Sequence, residues 1–136
     1  MSVSTESGAT VMVVDDYADT RRIVRWMLEQ RGYRVVESAD GHDAVETAVR
    51  ERPDVILMDL AMPRHDGFGA IRSVRERDEL SGVPIIAMTA YDMAEARERA
   101  RAVGCDEFIS KPIDFNRLAV MLEKLLRDGS RRRKDH

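Results

Sequence analysis

The chain has 136 residues, 43% of them apolar and 35% charged, a composition that excludes a disordered polymer and fits one compact domain able to bury about two-thirds of its unfolded surface. A net charge of -3 provides no overall basic field for nucleic acid, and no apolar run approaches the roughly 18 residues a membrane span requires. The single Cys105 excludes an internal disulfide framework or a multi-cysteine zinc site and fits a reduced, cytoplasmic setting.

The first nine residues are polar, lack a basic-led apolar core, and read as a disordered lead-in rather than a secretory signal. Apolar runs of strand length then recur at Val11 to Val14, Tyr33 to Val36, Val55 to Met58 and Ile85 to Met88, with a shorter fifth at Phe108 and Ile109. The first, third and fourth are continuously apolar, as in a parallel sheet covered on both faces. Arg34 interrupts the second and the fifth is very short, which suits sheet edges. Between the runs lie segments with helical spacing. Ile23, Val24, Met27 and Leu28 share one face of the first segment, and Ala44, Val45, Ala48 and Val49 one face of the second. Ile71 and Val74 mark the third. Met93, Ala96, Ala100 and Val103 mark the fourth, and Leu118, Met121, Leu122, Leu125 and Leu126 the fifth. Gly32 and Gly104 stand where helices should end, Pro53 and Pro84 precede strands, and Asp66 and Asp114 are placed to cap helix starts. Strict alternation of strand and helix predicts a doubly wound α/β domain with a five-stranded parallel sheet and five helices over residues 10–127, followed by a basic flexible tail at 128–136. The last six residues hold four of the 22 Lys and Arg and one of the 25 acids, so the body is acidic and its end basic. Four cations after Gly129-Ser130 read as a solubilising end rather than a nucleic-acid contact.

In open α/β sheets ligands sit beyond the carboxyl ends of the strands, where the winding reverses. One common strand order, 2-1-3-4-5, puts that point between the first and third strands. The residues just past Val14 and Met58 are Asp15, Asp16 and Asp59. Three carboxylates at neighbouring strand ends repel one another unless a cation joins them, and hard oxygen ligands suit Mg²⁺, with Mn²⁺ as a substitute. The ends of the fourth and fifth strands add the hydroxyl of Thr89 and the ammonium of Lys111. Among 19 Arg and 3 Lys, a Lys directly before Pro112 is informative, because it supplies a point charge suited to one phosphoryl oxygen where Arg supplies a broad fork. Carboxylates, a metal, a hydroxyl and an ammonium together point to phosphoryl chemistry.

These residues also carry a resemblance. Val13-Val14-Asp15-Asp16, the run Asp59-Leu60-Ala61-Met62-Pro63-Arg64-His65-Asp66-Gly67, Thr89-Ala90, and Phe108-Ile109-Ser110-Lys111-Pro112 are similar to the response-regulator receiver family, and the likeness spans Thr10 to about Arg127. The family shares the 2-1-3-4-5 order of CheY-like, flavodoxin-like sheets. What the resemblance implies is a phosphorylation switch in a two-component system or phosphorelay. Asp59 would be the phosphoacceptor, taking the group from a sensor histidine kinase or a histidine phosphotransfer protein. Asp16 would contact Mg²⁺ directly, Asp15 mostly through water, and the backbone carbonyl of Ala61 would complete the protein ligands. Thr89 and Lys111 would each bind a phosphoryl oxygen, and Phe108, at the switch aromatic position, would turn inward. Helix four, strand five and helix five would form the output surface. A cis bond between Lys111 and Pro112 is also common in the family.

Other residues read differently. Asp66-Gly67 is a turn signal without chemistry. His42, His65 and His136 lack ligand spacing, the eight Met and Cys105 read as core filling, and Arg72, Arg75 and Arg77 as a solvated helix face. Trp26 falls about 130° from the centre of the first helix's apolar stripe. It is either a docking anchor for the phosphodonor or a ring lying on neighbouring Arg stems. The resemblance also implies that the residues two after Asp59 and Thr89, small Ala61 and bulky Tyr91, would tune phosphoryl lifetime, and the bulk of Tyr91 predicts an intermediate or long one. Two other functions compete: a Mg²⁺-dependent aspartyl phosphatase, and a receiver-like binding module independent of phosphorylation. Against the first, the nucleophile and acid of such enzymes stand two apart after one strand, whereas Asp15 and Asp16 are adjacent; against the second, Asp59, Thr89 and Lys111 are all present. Only Asp128 to His136 follow helix five, so output is expected through contact with a downstream protein target, by a monomer or weak homodimer.

Overall fold

A computed structural model describes residues 8–60, 67–90 and 94–134, the last six of these by their backbone alone. Strands β1 (Thr10–Val14), β2 (Arg34–Ser38), β3 (Val55–Asp59), β4 (Ile85–Thr89) and β5 (Glu107–Ser110) alternate with helices α1 (Ala18–Gln30), α2 (Gly41–Glu51), α3 (Gly67–Glu76), α4 (Ala94–Val103) and α5 (Phe115–Lys134). A single 3-10 turn, Asp78–Leu80, precedes β4. All four strand pairings are parallel, and the order is β2-β1-β3-β4-β5.

Continuous apolar runs became central strands because both faces are covered. Every residue of β1, β3 and β4 is buried. Successive side chains point to opposite sides, so Met12, Val14, Ile56, Met58 and Ile85 pack with Ala44, Ala48, Ile71, Val74 and Ala100 of α2, α3 and α4. Val11, Val13, Val55, Leu57 and Ile86 pack with Val24 and Leu28 of α1 and Leu118, Leu122 and Leu125 of α5. Arg34 opens the edge strand β2, exposed as its charge requires.

The helix boundaries follow local chemistry. Asp40 caps α2 by accepting from the Asp43 N–H at 2.7 Å, and Asp114 caps α5 by accepting from the N–H groups of Asn116 and Arg117 at 3.0 and 3.2 Å. Gly32 and Gly104 adopt positive φ after α1 and α4. After α2 the left-handed position is held by Arg52, at φ 49, with no glycine to announce it. Asp66, the other expected cap, and Met93 lie outside the described residues.

Three expectations are corrected. Ile23 is 56% exposed rather than buried; it lies about 120° from the direction shared by Val24 and Leu28, so the buried stripe of α1 is narrower than the run of apolar residues. The backbone of α5 continues to Lys134 instead of ending near Arg127. Gly129 and Ser130 weaken a helix by at most about 1 kcal/mol each, and Arg favours it. Arg75 is no solvated charge: its side chain is 19% exposed and paired with Asp106.

Candidate functional site

Strand register assembles the site. Val14 pairs with Met58, so the next residues, Asp15 and Asp59, stand side by side. Asp59 pairs with Met88 and Thr89 with Ser110, which puts Thr89 one step beyond Asp59 and Lys111 one step beyond Thr89. One carboxylate oxygen from each of Asp15, Asp16 and Asp59 lies within 4.8 Å of the other two. Asp15 and Asp59 are buried, at 0% and 3% exposure, and Asp16 is open to solvent.

The ammonium of Lys111 is the counter-charge. Its Nζ donates to Asp15 Oδ2 at 3.0 Å and to Asp59 Oδ2 at 3.2 Å. Burial by itself would lower its pKa, but the hydrogen bond to Asp15 and the charge of Asp59 outweigh that and hold it above the usual 10.5. The Lys111 N–H donates to the carbonyl of Thr89 at 2.8 Å, and the Lys111–Pro112 peptide is cis. Among the described residues the cluster sets this one ammonium, bonded to Asp15 and Asp59, against three carboxylates, an excess of negative charge. Closely spaced hard oxygens with that excess fit a divalent cation of the Mg²⁺ class.

Asp15 is fixed by more than Lys111. The Tyr17 N–H donates to Asp15 Oδ1 at 2.9 Å, so both oxygens of this carboxylate are engaged. Arg21 Nη1 donates to the Asp15 carbonyl at 2.7 Å, and the Asp15 N–H donates to the Ser38 carbonyl at 3.1 Å. Tyr17 and Arg21 were missed from sequence. Tyr17 acts through its backbone, which no side-chain pattern reports, and Arg21 is one of 19 Arg.

Thr89 is buried at the end of β4. Phe108 is half-buried on β5, with the guanidinium carbons of Arg97 and Arg101 at 5.8 and 5.6 Å from its ring centroid. Both arginines come from α4, so the aromatic side chain is held between the sheet and that helix. Trp26 is 59% exposed on α1, and Tyr17 and Ile23 are exposed as well. Ala61 and Tyr91 lie outside the described residues, as does His65. Cys105 is buried core: burial pushes its thiol up to about 11, and its Sγ donates to the Glu107 carbonyl at 2.8 Å.

The profile of the response regulator receiver domain matches residues 11–123. A polar-differentiation response regulator, DivK, of Brucella anthropi is 35% identical over 120 residues, covering 88% of this chain and 98% of that protein. Among solved structures, the Vibrio cholerae chemotaxis protein CheY4 is 32% identical with a TM-score of 0.83, covering 86% of this chain and 98% of its own. The receiver domain of the sensor histidine kinase PA1611 from Pseudomonas aeruginosa, solved with a magnesium ion coordinated in its active-site cleft, is 35% identical with a TM-score of 0.82, covering 88% of this chain and 98% of its own. No helix of the described residues is long and apolar enough to cross a membrane. With the fold, the acid cluster and the lysine in register, the chain belongs to the response regulator receiver domains of two-component signalling.

Proposed function

We propose that this protein is a cytoplasmic phosphorylation switch in which Asp59 takes a phosphoryl group from a phosphohistidine of a sensor kinase or phosphotransfer protein. The observation that carries this reading is the buried Asp59 carboxylate held between two further carboxylates and the Lys111 ammonium at one sheet end. In the transfer a bond forms from an Asp59 oxygen to phosphorus as the phosphorus–nitrogen bond breaks, and the electron pair leaves on the imidazole nitrogen, which takes up a proton.

Asp15, Asp16 and Asp59 would hold Mg²⁺, with the Ala61 carbonyl as a further ligand. Bound there, the ion supplies charge that offsets the phosphoryl oxygens. The two carboxylates besides Asp59 have different parts. Both oxygens of Asp15 are engaged by Tyr17 and Lys111, which fits a role through water, while the exposed Asp16 is open to direct ligation. Once Asp59 carries the phosphoryl group as an acyl phosphate, Lys111 exchanges its bond to that carboxylate for one to a phosphoryl oxygen, and the Thr89 hydroxyl takes another. Both movements pull on the loops after β4 and β5. Phe108 leaves the guanidinium faces of Arg97 and Arg101 and turns inward, which changes the surface of α4, β5 and α5 offered to a downstream protein. The phosphodonor docks on α1 through Trp26, and Tyr91 shields the acyl phosphate.

Beryllium fluoride with Mg²⁺, an acyl-phosphate mimic, tests the switch. The expected result is a Mg²⁺-dependent shift of the α4, β5 and α5 amide resonances that is lost in Asp59→Asn; an unchanged shift in that variant would reject the assignment. In the same series Trp26→Ala is expected to slow phosphotransfer from a histidine donor and leave a small acyl-phosphate donor unaffected. Equal slowing with both donors would remove Trp26 from docking.

A further inference from the structure

The Asp15-Asp16 pair stands just past β1, where the strand ladder ends with the Asp15 N–H donating to the Ser38 carbonyl at 3.1 Å. Asp16 is solvent-exposed, yet its carboxylate lies in the cluster with Asp15 and Asp59. Its direction depends on the peptide unit joining it to Asp15, because a planar amide moves as one body. The oxygen of that peptide accepts from Arg21 Nη1 at 2.7 Å.

Arg21 is itself anchored. Its Nε donates to Glu37 Oε1 at 2.8 Å, and the side chain is 18% exposed. Glu37 belongs to β2, where it pairs with Val13 of β1. Its other oxygen, Oε2, accepts from Arg25, which also bonds Glu29 at 3.1 Å. Burial alone would raise the pKa of Glu37, but hydrogen bonds from Arg25 and Arg21 outweigh it and keep the carboxyl below its usual 4.5. An ionised carboxylate thus braces Arg21 from the edge strand. A guanidinium can serve both acceptors at once because its N–H groups diverge in one rigid plane, which an ammonium cannot reproduce.

We propose that Arg21 is a positioning residue for the cation site: by fixing the Asp15-Asp16 peptide against Glu37 of β2, it keeps the Asp16 carboxylate in register with those of Asp15 and Asp59. The inference rests on the reading that this cluster takes a divalent cation. It yields a sign that charge alone contradicts. Arg21 is a cation close to the acids, so its removal would tighten Mg²⁺ binding if charge were its only contribution. Loss of positioning instead weakens binding, by about tenfold in the manner of other groups that orient metal ligands.

Isothermal titration of Mg²⁺ into the whole chain separates the two, with the thermal midpoint in the absence of Mg²⁺ recorded for each variant as the control for folding. Arg21→Ala is expected to weaken Mg²⁺ about tenfold, and Glu37→Gln, which leaves Arg21 in place but loosens its anchor, to weaken it in the same direction by less. Arg21→Lys is expected to fall between wild type and Arg21→Ala. Unchanged or tighter Mg²⁺ binding in a folded Arg21→Ala or Glu37→Gln protein would overturn the positioning role while leaving the cation site intact. Absence of Mg²⁺ binding in the wild type would overturn both.

Discussion

Arg75→Ala is expected to lower the unfolding free energy by about 3 kcal/mol and the thermal midpoint by roughly 10 °C, the largest loss from any single charged side chain away from the acid cluster. Its guanidinium reaches the Gly104 carbonyl from Nε and Nη2 at 3.0 and 2.8 Å, and the Val83 carbonyl from Nη1 at 2.6 Å. Weaker bonds at 3.3 and 3.2 Å go to the carbonyls of Leu80 and Ser81. Nη2 also pairs with Asp106 Oδ2 at 2.9 Å, and that same oxygen accepts from the Ile85 N–H at 2.9 Å. One side chain therefore ties α3 to the loop before β4, to the turn after α4 and to the start of β5. Removing it strands several carbonyls and a partly buried carboxylate. The effect stays below that of a fully buried pair because Arg75 and Asp106 are 19% and 24% exposed, so water recovers part of the loss. Arg75→Lys should rescue little, since a point charge cannot span these acceptors. Chemical denaturation of the three proteins measures this, and a loss under 1 kcal/mol in Arg75→Ala would reduce Arg75 to a surface charge.

Gly67→Ala should damage function more than stability. A Cβ at Gly67 would lie 2.3 Å from the backbone oxygen of Asp59 and 2.6 Å from the Cα of Leu60. Neither atom can yield without moving the backbone of Asp59 and Leu60, the proposed phosphoacceptor and its neighbour. The added methyl should cost about 1–3 kcal/mol as overpacking. A displacement of Asp59 near 1 Å should slow phosphorylation by about a hundredfold. The rate with a small acyl-phosphate donor, measured below the variant's unfolding range, checks this. A rate within threefold of wild type would show that the α3 start and the Asp59 loop relax independently, contrary to the close approach seen here.

The fold was legible because its signals were redundant. Runs such as Val11 to Val14 and Ile85 to Met88 are apolar at every position, so a strand buried on both faces follows without reference to neighbours. The juxtaposition of the candidate site residues was legible for a related reason: Asp15, Asp59, Thr89 and Lys111 each stand at or just past the last apolar residue of a strand, and parallel register brings such positions together. What escaped was chemistry that depends on where side chains end rather than where they begin. Arg21 and Arg75 look like any other Arg on an amphipathic helix, and only the path of the chain puts carbonyls within their reach. Gly67 was read as a turn residue, but the contact with Asp59 is what requires it. Ile23 shows the converse, an apolar residue next to a buried one that the wheel of the helix turns outward. The expectations for Ala61, Tyr91 and Asp66 fall outside the described residues.

The assignment of Asp59 as phosphoacceptor is tested most directly by labelling the chain with a small radioactive acyl phosphate, with and without Mg²⁺, and mapping the labelled peptide. The expected result is Mg²⁺-dependent label on the peptide containing Asp59, released by hydroxylamine as an acyl phosphate should be, and absent from Asp59→Asn. Label that persists in Asp59→Asn, or that forms equally well without Mg²⁺, would contradict it.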